Sequence, residues 1–249
     1  MLKKRIIPII LLDGFSVLKT INFKQRRNLG SPITVVRTYN TRNVDELILL
    51  DIDASKQNRP IDKFTIQDIA QECFMPLTVG GGIRTIDDIR DLLSKGADKI
   101  TINTHAIEKP SFISEATNTF GSQCIVVSVD VMEDGDEKYS VFSKGKVVDG
   151  LSFFDWIVKV EKMGAGELLI NNVSRDGSMS GANIGLAKKI SALVSIPVIY
   201  AGGISGPKNA ALVAMTNVSA VGISSIFHFT DATPKDCRLA FKKLGIPVR

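Results

Sequence analysis

Residues 75–104 read MPLTVGGGIRTIDDIRDLLSKGADKITINT, and residues 196–225 read IPVIYAGGISGPKNAALVAMTNVSAVGISS. The two stretches align without a gap at an offset of 196 − 75 = 121 residues. Pro76 falls on Pro197, Gly81 on Gly202, Gly82 on Gly203, Ile83 on Ile204, Ile100 on Val221 and Thr104 on Ser225. Each copy is a short apolar run, a Gly-Gly-Ile turn, a helical stretch, and a second apolar run closing on small hydroxyl or amide residues. The same offset sets Glu46 on Glu167, each at the head of an apolar run (ELILL and ELLIN). A repeat of this kind marks a chain built from two similar halves.

Outward from the repeat, apolar runs of strand length alternate with amphipathic stretches along the whole chain. The pattern predicts strands near 5–12, 46–53, 75–80, 98–103, 124–131, 167–173, 196–201 and 219–224. Helices are predicted near 31–43, 62–73, 85–95, 110–120, 152–164, 183–194, 206–215 and 233–243. The 249 residues suit one α/β domain, a (β/α)8 TIM barrel spanning 1–249 and made of two half-barrels. An open doubly wound sheet explains a half-chain repeat less simply. One departure is KYSVFSKGKVVDG at 138–150, whose alternation around Lys144-Gly145 predicts a β-hairpin after strand five.

In a parallel barrel the strand carboxyl ends face the active site. That places Asp13, Asp51, Asp53, Gly82, Asn103, Thr104, Asp130, Asp176, Gly177, Gly203, Ser224 and Ser225 on one face. A Gly-rich turn lets backbone N–H groups approach an anion, and the small polar residues at the next strand end add donors. Two copies make two candidate phosphate sites; the plainer reading is two tight strand-to-helix turns. Asp130 closes the apolar strand SQCIVVSVD, where desolvation raises a carboxyl pKa and suits it to acid-base work; a helix cap is the alternative. Asp176 in SRDGS is either a site residue or a turn former with Gly177. On the opposite face, Arg5, Glu46, Lys99 and Glu167 stand at strand amino ends. They are either ordinary solvated charges or a ring of ion pairs closing the bottom of the barrel.

Bulk composition narrows the classes. Net charge is +5 and the pI about 9.1, which suits an anionic substrate or an acidic partner. Lys and Arg are dispersed without an aromatic-basic motif, so nucleic acid is not expected. The basic cluster KQRR at 24–27 reads as a solvated loop or as part of a phosphate closure. Three scattered cysteines read as thiols rather than disulfides or ligands. No metal cluster, cofactor ligand set or Ser-His-Asp arrangement suggests itself. The opening MLKKRIIPIILLDG reads as the first strand rather than a signal peptide, no run is long enough to span a membrane, and a cytoplasmic protein is expected.

In order and spacing, MLKKRIIP, VDELILLDI, LTVGGGI, GADKITINT, FGSQCIVVSVD, GAGELL, SRDGS, AGGI and SSIFHF resemble the cyclase subunit of imidazole glycerol phosphate synthase, the HisF family. The resemblance runs from Met1 to Arg249. It implies a barrel that pairs as a heterodimer with a HisH-like glutaminase on its amino-terminal face and receives ammonia through its centre. It implies that Arg5, Glu46, Lys99 and Glu167 gate that passage and that Asp98 lies at the partner interface. It implies that Lys19, Gly82, Asn103, Thr104, Asp130, Asp176, Gly177, Gly203 and Ser225 hold a substrate with a phosphate at each end. Ser224 stands where the family often has alanine.

The family uses two catalytic aspartates, at the ends of strands one and five. Asp130 matches the second. The first falls on Leu11, and the neighbouring Asp13 matches the turn instead. Loss of such a group costs ~10²–10⁴ in rate. A branch of the family accompanies a glutaminase and a separate ATP-dependent amidotransferase in surface-polysaccharide pathways, turning a sugar N-acetyl group into an acetamidino group. Pro8, the apolar strand one and CFMPLTVGGGIRT resemble that branch. The expectation is a barrel that passes ammonia on and binds a phosphorylated sugar. The alternatives are a working cyclase acting on a ribotide, and a sugar-phosphate isomerase on the same barrel.

Overall fold

The computed structural model describes residues 3–135 and 137–249. The first strand, β1 (Arg5–Leu12), is buried at every position after Arg5, as a strand covered on both faces must be. A hairpin follows, β2 (Val17–Ile21) and β3 (Gln25–Gly30), and then α1 (Pro32–Thr41), with proline in its first turn. Next come β4 (Leu47–Asp51), α2 (Lys63–Glu72), β5 (Leu77–Gly80) and α3 (Ile86–Ser94). The Asp62 carboxylate accepts from Thr65 N to start α2, and Thr85 and Asp88 form a capping box for α3. β6 (Lys99–Ile102) leads into a short α4 (Thr104–Glu108) and α5 (Ser111–Phe120).

The second half repeats the plan. β7 (Ile125–Glu133) runs into the hairpin β8 (Tyr139–Ser143) and β9 (Lys146–Ser152), then α6 (Phe153–Lys162), β10 (Glu167–Asn172) and α7 (Ile184–Leu193). β11 (Val198–Ala201), α8 (Pro207–Ala214), β12 (Ala220–Ile223), a short α9 (Ser225–Phe229) and α10 (Pro234–Lys243) complete it.

Strands β1, β4, β5, β6, β7, β10, β11 and β12 pair in that order, all parallel, and β12 pairs with β1 to close the circle. This is the expected (β/α)8 barrel. The ends of all eight barrel strands fall within two residues of the predicted ones. Between barrel and helices lies the larger core, with Trp156, Tyr39, Tyr200, Phe112, Phe153 and Phe241 fully buried. Inside the barrel a smaller apolar cluster holds Ile7, Ile9, Leu11, Ile48, Val126, Leu169, Ile199, Ala201 and Ala220.

The two halves correspond in space. A Cβ on Gly81 would lie 2.6 Å from the Asp51 carbonyl oxygen, and one on Gly202 2.5 Å from that of Asn172. Asp51 and Asn172 are themselves one repeat apart (172 − 51 = 121). Both glycines have positive φ, so each Gly-Gly turn presses against the preceding strand end in a way only glycine permits. The predicted hairpin turns at Lys144 and Gly145, with φ of 50° and 86°. The hairpin at 17–30 corrects the loop reading of KQRR, since Gln25, Arg26 and Arg27 lie in β3 and pair with β2. Among the described residues no helix is long and apolar enough to cross a membrane.

Candidate functional site

A cavity of about 440 Å³ opens at the carboxyl ends of the barrel strands, a size suited to a small organic ligand. Leu11, Lys19, Gly82, Asn103, Thr104, Asp130, Asp176, Gly177, Gly203, Ser224 and Ser225 all line it. Asn103 and Ser224 sit at the N-caps of the short helices α4 and α9, so the backbone amides of Thr104 and Ser225 open helices beside the cavity. Gly82 N donates to Ser55 Oγ over 3.2 Å, which holds one Gly-Gly turn against the loop after β4. Both Gly-Gly turns therefore open on one shared cavity.

Asp130 lies on the cavity floor. Its Oδ2 accepts from Asn103 Nδ2 at 2.8 Å and its Oδ1 from Asn171 Nδ2 at 3.0 Å. Burial pushes its pKa up to about 6; the two amides pull it down without winning, and the nearby Asp176 charge adds to the rise. No helix starts at Asp130, because β7 continues to Glu133 and pairs Asp130 with Phe142 of the hairpin. Asp176 accepts from Lys19 Nζ at 3.0 Å and from Thr20 Oγ1 at 2.6 Å. That clamp fastens β2 to the loop after β10.

Across the cavity from Asp130 the floor is apolar. Leu11 is 7% exposed and packs with Ile9, Leu18 and Leu50. Asp13 does not line this cavity. Its Oδ1 accepts from Ser16 N at 3.0 Å, and its N donates to Ser16 O, so it forms the turn between β1 and β2. Asp51 does line the cavity, but its carboxylate is occupied by Arg59 and by the amides of Asp53 and Ala54. Asp53 is held by both terminal nitrogens of Arg26, at 2.5 and 2.6 Å, so KQRR docks the first hairpin onto the loop after β4.

At the amino-terminal end the four charged residues form a closed square. Arg5 pairs with Glu46 at 2.8 Å and with Glu167, and Lys99 pairs with the same two at 3.1 and 3.0 Å. Burial pushes the Glu46 carboxyl up, but Arg5 and Lys99 outweigh it and hold the pKa below the ordinary carboxylate value. Asp98 accepts from Leu77 N at 2.8 Å, at the head of β5.

Several cavity residues were absent from the sequence expectations. Asn171 follows from strand alternation, since Glu167, Leu169 and Asn171 must share the inward face. Thr101 and Ser128 follow from the same rule. The hairpin residues Phe23 and Phe142 meet edge to face, ring centroids 6.3 Å apart, and both line the cavity mouth. Only the folded topology brings them together. His105 also lines the wall, packed on Phe112.

Residues 5–233 match a family model described as histidine biosynthesis protein. The chain is 45% identical over 249 residues to a protein of Campylobacter jejuni subsp. jejuni serotype O:2, covering 100% of this chain and 99% of the relative. That relative carries the provisional name imidazole glycerol phosphate synthase subunit hisF2. With its closed barrel, its duplicated Gly-Gly turns and these matches, the chain belongs to the HisF family of histidine biosynthesis proteins.

Proposed function

We propose that this barrel is the synthase-type subunit of a glutamine amidotransferase that delivers ammonia to another enzyme rather than closing an imidazole ring itself. The observation that carries this reading is Leu11. It is buried on the cavity floor, in the strand-end position where the family resemblance calls for an acid, while Asp130 remains across the cavity. A floor with one carboxyl can take or give a proton at one atom. Ring closure that needs an acid and a base together loses its partner group. Asp13 is no substitute, since its carboxylate is committed to the Ser16 turn.

On this reading a HisH-like glutaminase binds the amino-terminal face. Phe74, 84% exposed, together with Met215 and Leu244, sits where helices return to the amino ends of strands and offers apolar contact there. Ammonia released at that face meets the Arg5–Glu46–Lys99–Glu167 square, whose ion pairs must part for a molecule to enter. Above the square the interior runs between apolar side chains of Ile7, Ile9, Ile48 and Ile199 and the hydroxyls of Thr78, Thr101 and Ser128, a route suited to a small uncharged molecule. At the top, Asp130 and the two half-sites present it beside a phosphorylated sugar or ribotide held through Lys19, Gly82, Asn103, Thr104, Asp176, Gly177, Gly203, Ser224 and Ser225. The acceptor chemistry proposed is amidine formation on a surface-polysaccharide sugar by a separate ATP-dependent amidotransferase.

The second reading is a working cyclase subunit of imidazole glycerol phosphate synthase, taking a ribotide and ammonia to imidazole glycerol phosphate and aminoimidazole carboxamide ribotide. It is favoured by the retention of Asp130 and of every residue matched to the phosphate half-sites. Sedimentation of the chain with a HisH-like glutaminase tests the docking half of the proposal. A one-to-one complex weakened by Phe74→Asp is expected; absence of any complex would sink it.

A further inference from the structure

The two Gly-Gly turns are alike in backbone and unlike in what holds them. In the first, a Cβ on Gly82 would collide with the Arg59 carbonyl oxygen, and the Arg59 guanidinium pairs with Asp51 at 2.6 Å. That brace lies within the end of β4 and the loop after it. In the second, a Cβ on Gly203 would lie 2.6 Å from the Gly181 carbonyl oxygen and 2.8 Å from Arg175 Cβ, and one on Gly202 2.9 Å from Asn172 Cβ. Arg175 and Asn172 are both held by Glu133, which belongs to a different element, the far end of β7.

The Glu133 carboxylate accepts from Arg175 Nε at 2.9 Å and from Arg175 Nη2 at 3.0 Å, a two-point pair. It also accepts from Asn172 Nδ2 at 2.5 Å and from Asn183 Nδ2 at 3.0 Å, and Asn183 caps α7. Glu133 N donates to Ser174 Oγ at 2.9 Å. Burial pushes the Glu133 carboxyl up, but Arg175 and the two amides outweigh it and hold the pKa below the ordinary value, so the group is charged at neutral pH. Arg175 Nη1 donates to Gly181 O at 3.0 Å, and Gly181 N donates to Gly203 O at 2.8 Å. A continuous run of bonds therefore leads from Glu133 to Gly203. The repeat marks this brace as an addition. Glu133 falls on Leu12 (133 − 121 = 12) and Arg175 on Ala54 (175 − 121 = 54), and both of those are apolar and fully buried. A Gly-Gly turn thus forms in the first half without such a pair, and partly burying two charges in the second costs desolvation that positioning can offset.

We infer that Glu133 is a positioning residue for the second anion site, fixing the Gly202-Gly203 turn through Arg175 and Gly181, on the reading above that both turns hold anionic groups. Glu133 and Arg175 do not themselves line the cavity, so they act on a ligand only through the turn. A turn held in place before binding loses less freedom when an anion arrives, which strengthens binding. Glu133 stands three residues beyond Asp130 on β7 (133 − 130 = 3), so the strand that carries the floor carboxyl also sets where the anion at Gly203 lies. The first turn, braced by Asp51 and Arg59, is set independently of β7. The two ends of a bound molecule are thereby tuned by separate residues.

Inorganic phosphate titrated into the purified chain at neutral pH tests this, with nuclear magnetic resonance following the backbone amides of Gly82 and Thr104 at one turn and of Gly203 and Ser225 at the other. Glu133→Gln keeps the volume and removes the charge. It should weaken phosphate at Gly203 and Ser225 about fivefold and leave Gly82 and Thr104 within about twofold. Arg175→Met should do the same, and the double variant should lose no more than either single one, because both cut one connection. Arg59→Met should give the mirror result, with the loss at Gly82 and Thr104. A merely structural role would weaken both turns together or make the two losses add, and either result overturns the inference, as does unchanged affinity at Gly203 in Glu133→Gln. Should phosphate shift neither turn in the unmodified chain, the anion reading itself fails. Hydrogen exchange at the Gly181 amide then decides the brace: exchange about tenfold faster in Glu133→Gln supports it, and equal exchange overturns it.

Discussion

The side-chain amide of Asn103 donates to Oδ2 of Asp130 over 2.8 Å, across neighbouring strands β6 and β7. With Asn171 on the other side, this fixes the carboxylate in one orientation at the cavity floor. The bond favours the charged form, so it opposes the desolvation that raises the Asp130 pKa. Asn103→Leu should therefore move that pKa upward from about 6, a shift that carboxyl-carbon resonance titration would register. A fall, or no change, would mean that the Asn103 amide does not stabilise the charged carboxylate.

The same shift links to stability. Between the ordinary value of 3.8 and about 6 the folded chain binds a proton at Asp130 that the unfolded chain has released. Stability from this group therefore falls as pH rises through that window and is level above it. The difference amounts to on the order of 3 kcal/mol at most. Urea unfolding of the chain and of Asp130→Asn across that window should show the variant gaining relative stability with rising pH.

Arg5 touches both glutamates of the amino-terminal square, and its side chain is 13% exposed. Arg5→Met leaves Glu167 facing Lys99, and Glu46 facing Lys99 with Arg249 at 3.9 Å, and a cost of about 3 kcal/mol at neutral pH is expected. The Glu46 pKa is held below its ordinary value, so its stabilisation is complete above that value and is lost as pH falls through the lowered one. The gap between the chain and Arg5→Met should be widest at neutral pH and narrow in acid. Denaturant midpoints at the two ends of that range decide it.

Phe23 and Phe142 join the two hairpins over the cavity mouth. An aromatic pair of this geometry contributes ~0.5–1.5 kcal/mol beyond its buried area. Phe23→Ala should speed amide hydrogen exchange in β2–β3 and β8–β9 by up to about tenfold, with the barrel strands unchanged. Equal exchange in both proteins would mean that the hairpins close independently, held by the Arg26–Asp53 and Lys19–Asp176 pairs.

These hairpins also show where the sequence was and was not readable. The barrel strands were legible because strands buried on both faces demand unbroken apolar runs, as in RIIPIILL. The second hairpin was legible because Lys144-Gly145 carries an ordinary turn signal. Its counterpart turns through Asn22 and Phe23, both with positive φ and neither a glycine, and its strand QRRN is polar and exposed. Local pattern could not reveal it, although the repeat could: residues 17–30 map onto 138–151 at the same offset. Asn103-Thr104 and Ser224-Ser225 were read as strand ends, and each proves to begin a five-residue helix too short for periodicity to show. The Asn103–Asp130–Asn171 contacts depend on strand register, which no single strand encodes.

The replacement of an acid by Leu11 is the centre of the functional account. Leu11→Asp puts a carboxyl against Ile9, Leu18 and Leu50, and a loss of about 2–4 kcal/mol in stability is expected from lost packing and a buried charge. The most direct measurement is ammonia-dependent turnover of the histidine-pathway ribotide by the purified chain beside Leu11→Asp, with ammonium salt supplying the nitrogen so that no glutaminase is required. The account predicts no turnover by the chain and measurable turnover by the variant. Turnover by the unmodified chain at a typical enzymatic rate, ~1 s⁻¹ or more, would contradict it and make the protein a working cyclase that uses Asp130 without an acid at position 11.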